Sequence, residues 1–283
     1  MRVQVAAIGV PLILLIIFLL PAWVFGIALG AVSAVGVVEF LRATKVALGM
    51  RILIYAAVSG FAIPLVLSFW QMGMVHGLLV AVCLLLALFI EAMLHFNTPR
   101  EISFSQISLV FFAGGILPLM LGTLSVLRAI ISIPIPGMYF DGRVYVLIPI
   151  LIAFTTDAGG YFAGGAFGKR RLIEKISPKK TIEGSLGGFA ASFVTMLIFC
   201  LVMILAFSAE HNIVSVFLLS IVGSAVTQVG DLAFSLIKRE YGVKDFSALI
   251  PGHGGVLDRF DSLIFVAPVI CAFVFLWPPF LQG

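Results

Sequence analysis

The sequence is poor in charge. Only 11% of its 283 residues are Asp, Glu, Lys or Arg, whereas soluble globular domains carry about 25%. Long apolar runs recur from one end of the chain to the other, and the mean hydropathy is +1.22. This composition excludes an ordinary soluble domain and predicts an all-α, polytopic integral membrane protein.

Cysteines, linkers and repeats are also scarce. The three cysteines, Cys83, Cys200 and Cys271, fall inside apolar runs, and neither their odd number nor their spacing matches a metal motif. No small-residue cleavage pattern follows the first apolar run, so we expect it to be kept as a span rather than removed as a signal peptide. No polar linker sets off a soluble domain, and no repeat of about 20–50 residues is evident.

What the sequence has instead is nine apolar segments, each close to the roughly 20 residues that a helix needs to cross a bilayer. They are residues 3–20, 22–41, 52–70, 74–94, 106–127, 143–167, 185–208, 212–237 and 262–279. We therefore predict about nine transmembrane helices.

The basic residues predict how these segments are oriented. If the N-terminus is inside, the inside loops hold every Lys and Arg of the chain except Arg128 and Arg143. Cytoplasmic loops carry such an excess, so we predict a cytoplasmic N-terminus. Two inside segments, 168–184 and 238–261, are the only long polar stretches of the sequence, and water-facing chemistry is expected there.

Two carboxylates lie inside predicted spans and away from their ends. Asp157 is in the sixth segment and Asp231 in the eighth. A charge at such a depth costs several kcal/mol unless it is paired, bound to a metal or in a water-filled cavity. A structural ion pair or a protonated carboxyl between two helices is the alternative to a functional site. Glu39 and Glu91 lie near cytoplasmic helix ends, where each can reach water or an arginine, so we assign them no functional role.

The stretch PGHGGVLDRFD, residues 251–261, complements these carboxylates. If the ninth helix begins near residue 256, Asp258 and Asp261 are i and i+3 on one face. Together with Asp231 they make an oxygen-rich site for a hard ion such as Mg²⁺. The glycine-rich turn before them exposes backbone N–H groups at a helix N-terminus, which favours an anion. The turn residues are Gly252, His253, Gly254 and Gly255, and the surrounding cations are Lys238, Arg239, Lys244 and Arg259. These groups are suited to phosphoryl or nucleotidyl transfer.

The other polar segment contains an unusual lysine pair. Contact with anionic lipid headgroups explains the basic residues 169–171. It explains Ser177-Pro178-Lys179-Lys180-Thr181-x-Glu183-Gly184 less well, because a simple flank needs no ordered turn. Glycines four residues apart, at 26/30, 160/164 and 164/168, indicate close helix packing or a backbone that approaches a ligand.

The motif Ser235-x-x-Lys238-Arg239-x4-Lys244-Asp245-x5-Pro251-Gly252-His253-Gly254-Gly255-x-x-Asp258-Arg259-x-Asp261 spans 27 residues. It resembles the signature of the phosphatidate cytidylyltransferases, also called CDP-diacylglycerol synthases. The Ser177–Gly184 motif and the Asp157 helix are also similar to family motifs. The resemblance covers roughly the C-terminal half, and the first five spans match only in being apolar.

The resemblance implies that CTP and phosphatidic acid give CDP-diacylglycerol and pyrophosphate with Mg²⁺, as one or two ions. It implies that residues 142–283 form the catalytic bundle and that residues 1–141 form a scaffold. Our hypothesis is that Asp231, Asp258 and Asp261 hold Mg²⁺. The residues expected to neutralise phosphates are Lys238, Arg239, Lys244 and Arg259. Of these, Lys244 and Arg259 are predicted to be catalytic, together with the three aspartates. Lys179, Lys180 and the turn Gly252, His253, Gly254 and Gly255 hold the nucleotide, and Asp157 completes the metal or nucleotide site.

Other functions remain open at this point. A CTP-dependent enzyme acting on an ether lipid or a polyprenol shares the same headgroup chemistry. An ion-coupled transporter would use Asp157 and Asp231 as a relay, but the paired half-repeats typical of transporters are not evident. A lipid-binding structural protein would have no use for buried carboxylates. The pI of about 9.1 requires no nucleic acid. We expect a bacterial inner-membrane protein that acts from the cytoplasm, with a homodimer as one possible assembly.

Overall fold

The protein is described by a computed structural model over residues 2–46, 48–69, 73–130, 141–207, 209–250, 252 and 254–281. Helices dominate these residues. They are α1 (Arg2–Leu19), α2 (Ala22–Ala43), α3 (Met50–Leu67), α4 (Gly73–Leu94), α5 (Phe104–Ala129), α6 (Gly142–Phe167), α7 (Ile182–Phe207), α8 (Ile213–Glu240) and α9 (Leu257–Leu276). Within the described part of the chain, α2 to α9 are the eight helices long and apolar enough to span a membrane. The prediction of an all-α polytopic membrane protein is confirmed, while the ninth span and the cytoplasmic N-terminus stay predictions.

Two short antiparallel strand pairs were not expected from the sequence. Strands β1 (Arg171–Ile173) and β2 (Ser177–Thr181) pair antiparallel, in the segment where an ordered turn was predicted. Strands β3 (Glu210–His211) and β4 (Phe280–Leu281) form a second antiparallel pair. In a two-stranded sheet every strand is an edge, so Pro178 in β2 is tolerated there. The predicted ordered turn is thus the second strand of a hairpin, followed directly by α7.

The chain packs as two compact units. The first unit contains residues 1–129 and 241–260, and the second contains residues 130–240 and 261–283. Residues 241–260 therefore pack with the N-terminal helices, although the sequence division placed them in the C-terminal half. The assignment of catalysis to residues 142–283 stays a prediction.

Within the first unit, helices α2 and α3 approach closely through glycines. A Cβ atom at Gly30 would lie 2.5 Å from the Phe61 carbonyl oxygen, and one at Gly26 would lie 2.7 Å from Ser68 Oγ. These distances are below any normal contact, so both positions require the absence of a side chain. The predicted close packing at Gly26 and Gly30 is confirmed.

A buried arginine holds the end of α1 in the same unit. Arg128, near the end of α5, is 2% exposed. Its Nε donates to the Ile17 carbonyl at 2.9 Å, and one of its terminal nitrogens donates to the Leu20 carbonyl at 2.8 Å. The last carbonyls of a helix lack partners within the helix, and a cation there is favourable. The ends of α1 and α5 therefore lie next to each other.

In the second unit, α6 and α7 pack backbone against backbone. A Cβ atom at Gly187 would lie 2.1 Å from Ala163 Cβ, and one at Gly159 would lie 2.4 Å from Ala191 Cβ. At the opposite end of α6, Tyr145 donates its hydroxyl to the Phe280 carbonyl at 2.6 Å. The glycine contacts fix the two helices that form the walls of the cavity described next.

Candidate active site

A cavity of about 330 Å³ lies in the second unit, between α6, α7, α8 and strand β2. Glycines of α6 and α7 form much of its wall. Its charged and amide groups are Asp157, Lys179, Lys180, Gln228 and Asp231. The size is within the range of small-molecule sites, and both carboxylates predicted to lie inside the membrane line the same space.

The hairpin places two lysines at this cavity. Strand β2 carries Lys179, which is exposed, and Lys180, which is half-buried. Lys180 forms an ion pair with Asp231 of α8, with 27% and 24% of the two side chains exposed. Lys180 and Asp231 were both predicted from the sequence as site residues. They are about fifty residues apart in the chain, and the fold brings them into direct contact.

Three carboxylates of the second unit lie near one another. Asp157 accepts a hydrogen bond from Ser262 Oγ at 3.2 Å. Asp261 lies 3.7 Å from the Lys238 ammonium, and both residues are buried. Asp157, Asp231 and Asp261 are close enough for their charges to act on one another. Two lysines and a hydroxyl therefore offset three acidic side chains.

This donor set suits a hard cation of low protein coordination. Among the residues that the structure describes, no three His, Cys, Asp or Glu side chains stand in a metal-binding arrangement. Mg²⁺ does not require one, because it is commonly held by one or two carboxylates and completes its shell with water and phosphate oxygens. The carboxylates of Asp231 and Asp261 fit that requirement. The metal roles predicted for Asp231, Asp258 and Asp261 stay predictions.

A wall of neutral polar groups, missed from the sequence, continues the cavity. Ser185 donates its hydroxyl to the Gln228 side-chain oxygen, and the Gln228 nitrogen lies 3.4 Å from Ser224 Oγ. Thr156 is 1% exposed, and its hydroxyl has no hydrogen-bond partner among the described residues. The preceding Thr155 instead donates to the Leu151 carbonyl at 2.6 Å. In the sequence these residues are ordinary uncharged members of apolar helices. Only their convergence in the structure identifies them as part of the cavity.

The glycine-rich turn lies in the first unit and has a different environment. Gly252 and Gly254 have φ angles of +76° and +83°, a conformation that favours glycine. Asp258 Oδ2 accepts from the backbone N–H groups of Phe246 at 2.9 Å and Gly255 at 3.0 Å. The amide expected to meet a substrate anion at Gly255 is thus bonded to a carboxylate of the chain itself. Binding of nucleotide by Gly252 and Gly254 stays a prediction, and His253 lies outside the described residues.

Glu39 is the residue that the sequence interpretation undervalued. It is 6% exposed and binds the backbone N–H groups of Val256 and Leu257, more than 200 residues away. An arginine follows three residues later, so a local pair was the simpler expectation. Glu91, by contrast, forms the expected pair with an arginine, Arg51, at 2.9 Å. No local pattern distinguishes the two glutamates.

The remaining predicted cations divide between the units. In the second unit, Arg239 donates its Nε to the Ile176 carbonyl of the hairpin at 3.3 Å. In the first unit, Lys244 and Arg259 are exposed. Their predicted contact with phosphate stays a prediction.

Comparison with known proteins identifies the family of the chain. Residues 1–277 match the model of a family described as the cytidylyltransferase family. The chain belongs to the cytidylyltransferase family. It is 32% identical over 293 residues to a phosphatidate cytidylyltransferase of Haemophilus influenzae, covering 97% of this chain and 98% of that protein.

Two further relatives match half of this cytidylyltransferase-family chain. It is 42% identical over 149 residues to the phosphatidate cytidylyltransferase of Staphylococcus haemolyticus, covering 51% of this chain and 56% of that protein. It is 43% identical over 129 residues to the phosphatidate cytidylyltransferase of Bacillus subtilis, covering 46% of each. The resemblance drawn from the signature residues is confirmed.

Proposed function

We propose that this chain is a CTP:phosphatidate cytidylyltransferase, which makes CDP-diacylglycerol and pyrophosphate. The observation that carries the proposal is the cavity that brings Asp157, Lys180 and Asp231 together inside a membrane-embedded chain of the cytidylyltransferase family. Lysines and carboxylates at membrane depth are costly. They suit a reaction that joins a polar nucleotide to a lipid headgroup.

The chemistry is one displacement at phosphorus. A phosphate oxygen of phosphatidic acid forms a bond to the α-phosphorus of CTP. The bond from that phosphorus to the bridging oxygen of the β-phosphate breaks, and pyrophosphate leaves with the electron pair. Phosphatidic acid is already ionised near neutral pH, so the step needs no general base. Both reactants are anions, and the main task is to align them and neutralise their charge.

The residues of the cavity are assigned to that task. Lys179 and Lys180 neutralise phosphate oxygens of the nucleotide. When phosphate takes over Lys180, the carboxylate of Asp231 is released from its ion pair. Asp157 stays oriented by the hydroxyl of Ser262. The uncharged wall formed by Thr156, Ser185 and Gln228 is suited to a part of the substrate that carries no charge.

Mg²⁺ is part of the proposal. Asp231 and Asp261 would hold it, and when bound it would supply positive charge to the phosphate oxygens. Lys180 and Lys238 form ion pairs with these carboxylates, so a cation that replaces the lysines and a triphosphate that binds the lysines are expected to enter together.

We further propose that the site faces the cytoplasm of the bacterial inner membrane. The distribution of basic residues supports this orientation, because 168–184 and 238–261 are the polar segments on the predicted inside. CTP is made in the cytoplasm, so a site on that face has direct access to it.

The test is release of pyrophosphate by the purified protein in detergent, with CTP, phosphatidic acid and Mg²⁺ supplied together and each omitted in turn. Release that requires all three is the expected result. Release with an ether-lipid or polyprenyl phosphate but none with phosphatidic acid would keep the chemistry and overturn the substrate. No release with any lipid phosphate would overturn the proposed function.

A further inference from the structure

We propose that Glu39 is a positioning residue for this reaction. Its carboxylate acts as a resident anion that fixes the first turn of α9, the helix that carries Asp258 and Asp261. The inference rests on the proposed function, because Asp258 and Asp261 belong to the predicted catalytic set. Glu39 lies in α2, near the opposite end of the sequence from the signature motif.

Three charge-assisted hydrogen bonds hold the carboxylate of Glu39. Oε1 accepts from the backbone N–H of Val256 at 3.0 Å and from Ser247 Oγ at 2.6 Å. Oε2 accepts from the backbone N–H of Leu257 at 2.8 Å. Such bonds to an ionised acceptor are about twice as strong as neutral ones. The carboxylate therefore links α2 to two points of the segment that leads into α9.

The neighbouring glycine is fitted to this carboxylate. A Cβ atom at Gly255 would lie 2.7 Å from Glu39 Oε2 and 2.9 Å from its carboxyl carbon. Any other residue at 255 would push the carboxylate away from the amides that it binds. The requirement for glycine at this position of the signature motif thus follows from the presence of Glu39.

The start of a helix is where a buried carboxylate is best accommodated. The first N–H groups of a helix have no partner within the helix, and the helix dipole favours negative charge there. The amides of Val256 and Leu257 are bonded to Glu39, and that of Gly255 to Asp258. The chain's own carboxylates therefore do at this turn what the sequence alone would assign to a substrate phosphate.

A simple local ion pair does not explain Glu39. Arg42, one turn further along α2, forms no ion pair with it within the described residues. Glu91 shows what such a pair looks like, because its carboxylate lies 2.9 Å from Arg51. Glu39 is instead neutralised by backbone dipoles. The first turn of α9 therefore depends on Glu39.

Glu39 can also be reached from outside. It lines a groove of about 500 Å³ in the first unit, together with Val38, Arg42, Phe246 and Ser247. A small carboxylate can therefore occupy the place of the missing side chain in a Glu39→Ala variant. This provides a test by chemical rescue, which an unfolded or mispacked variant would fail.

The experiment compares Glu39→Ala with and without added acetate, using acetamide as the neutral control of the same shape. Glu91→Ala is the matched variant, because it removes a second buried glutamate from the same unit. Pyrophosphate release gives kcat and KM for CTP. Hydrogen exchange of the amides of residues 255–257 reports the contact independently of activity, so it still reads Glu39 if the wild type proves to have another substrate.

The expected result is a loss of about tenfold or more in kcat for Glu39→Ala, with a smaller change in KM. Acetate should restore kcat and slow the exchange at Val256 and Leu257, acetamide should do neither, and Glu91→Ala should leave kcat close to wild type. Wild-type kcat in Glu39→Ala, or equal rescue by acetate and acetamide, would overturn the proposal.

If Glu39→Ala does not fold, the Glu39→Gln variant provides the test. It keeps one acceptor oxygen, so it should fold, lose kcat and exchange faster at residues 255–257, and unchanged exchange there would overturn the proposal.

Discussion

The carboxylates around the cavity of the second unit and those at the glycine-rich turn of the first unit are buried in different ways. In the second unit, Asp231 and Asp261 face the ammonium groups of lysines, and Asp157 faces a serine hydroxyl. In the first unit, Glu39 and Asp258 bind backbone N–H groups. Side-chain cations can be withdrawn or taken over by a ligand. Backbone amides cannot, because they belong to the fold.

This difference separates carboxylates that act on a ligand from carboxylates that hold the chain. An ion pair at a cavity gives up one set of partners when an anion and a cation arrive. A carboxylate bound to the start of a helix loses the helix geometry if it gives up its partners. We therefore expect substitutions of the cavity carboxylates to affect turnover more than stability, and substitutions at the glycine-rich turn to affect both.

The largest effect is expected for Asp231→Asn. The change removes the charge at the cavity and keeps the shape, so turnover should fall by about a thousandfold, equivalent to about 4 kcal/mol of transition-state stabilisation. The partly exposed pair with Lys180 adds little to folding, so stability should change by less than about 1 kcal/mol. Initial rates of pyrophosphate release and thermal unfolding in detergent measure the two quantities.

Glu174→Gln is the control for Asp231→Asn. Glu174 is an exposed carboxylate in the hairpin of the same unit, and its substitution should leave both quantities at the wild-type level. Asp231→Asn with normal turnover would show that the pair between Lys180 and Asp231 is structural, and the comparison between the units would fail.

Asp258→Ala should reduce stability as well as turnover. The change removes the acceptor of two backbone N–H groups and leaves both donors buried, which costs about 3 kcal/mol. Asp258→Asn keeps an acceptor oxygen, so it should regain most of the stability. If the carboxylate also acts on a ligand, Asp258→Asn will stay inactive. Equal stability of the Ala and Asn variants would contradict the role assigned to Oδ2.

The sequence predicted the membrane architecture well, because it depends on composition over long windows. An apolar segment spans the bilayer if it is long enough and carries few charges. All eight candidate spans of the described chain coincide with predicted segments to within a few residues. The depth of Asp157 and Asp231 was equally readable, since a carboxylate in an apolar run is rare enough to stand out.

Partners and strand pairing were harder to predict. Strands β1 and β2 have three and five residues, too short for an alternating pattern to rise above the surrounding charge. Glu39 and Glu91 looked alike, because the partner of each is set by packing between distant segments. The convergence of Lys180 on Asp231 was expected only from the family resemblance, and the contact itself depends on the register of the hairpin.

Gly255→Ala tests the fit between the turn and Glu39. The added methyl group would lie 2.7 Å from a carboxylate oxygen held by its hydrogen bonds, so overpacking should cost about 1–2 kcal/mol. Gly49→Ala is the control in the same unit, because nothing lies within 4 Å of the added atom. Thermal unfolding of the two variants gives the comparison. A Gly255→Ala protein as stable as Gly49→Ala would mean that the carboxylate moves freely and that its place is not fixed.

The smallest effect is expected for Arg51→Gln, which removes the cation beside Glu91. The Glu91 side chain is only 11% exposed, but the Arg51 side chain is 51% exposed. Solvent at the arginine therefore screens the pair, and its loss should cost less than about 1 kcal/mol. Thermal unfolding at low and high salt measures it, and the difference from wild type should shrink as salt rises. A larger, salt-independent loss would mean that Glu91 is held as firmly as Glu39. Hydrogen bonds to backbone amides would then no longer distinguish the carboxylates that stabilise this fold from those that only form a surface ion pair.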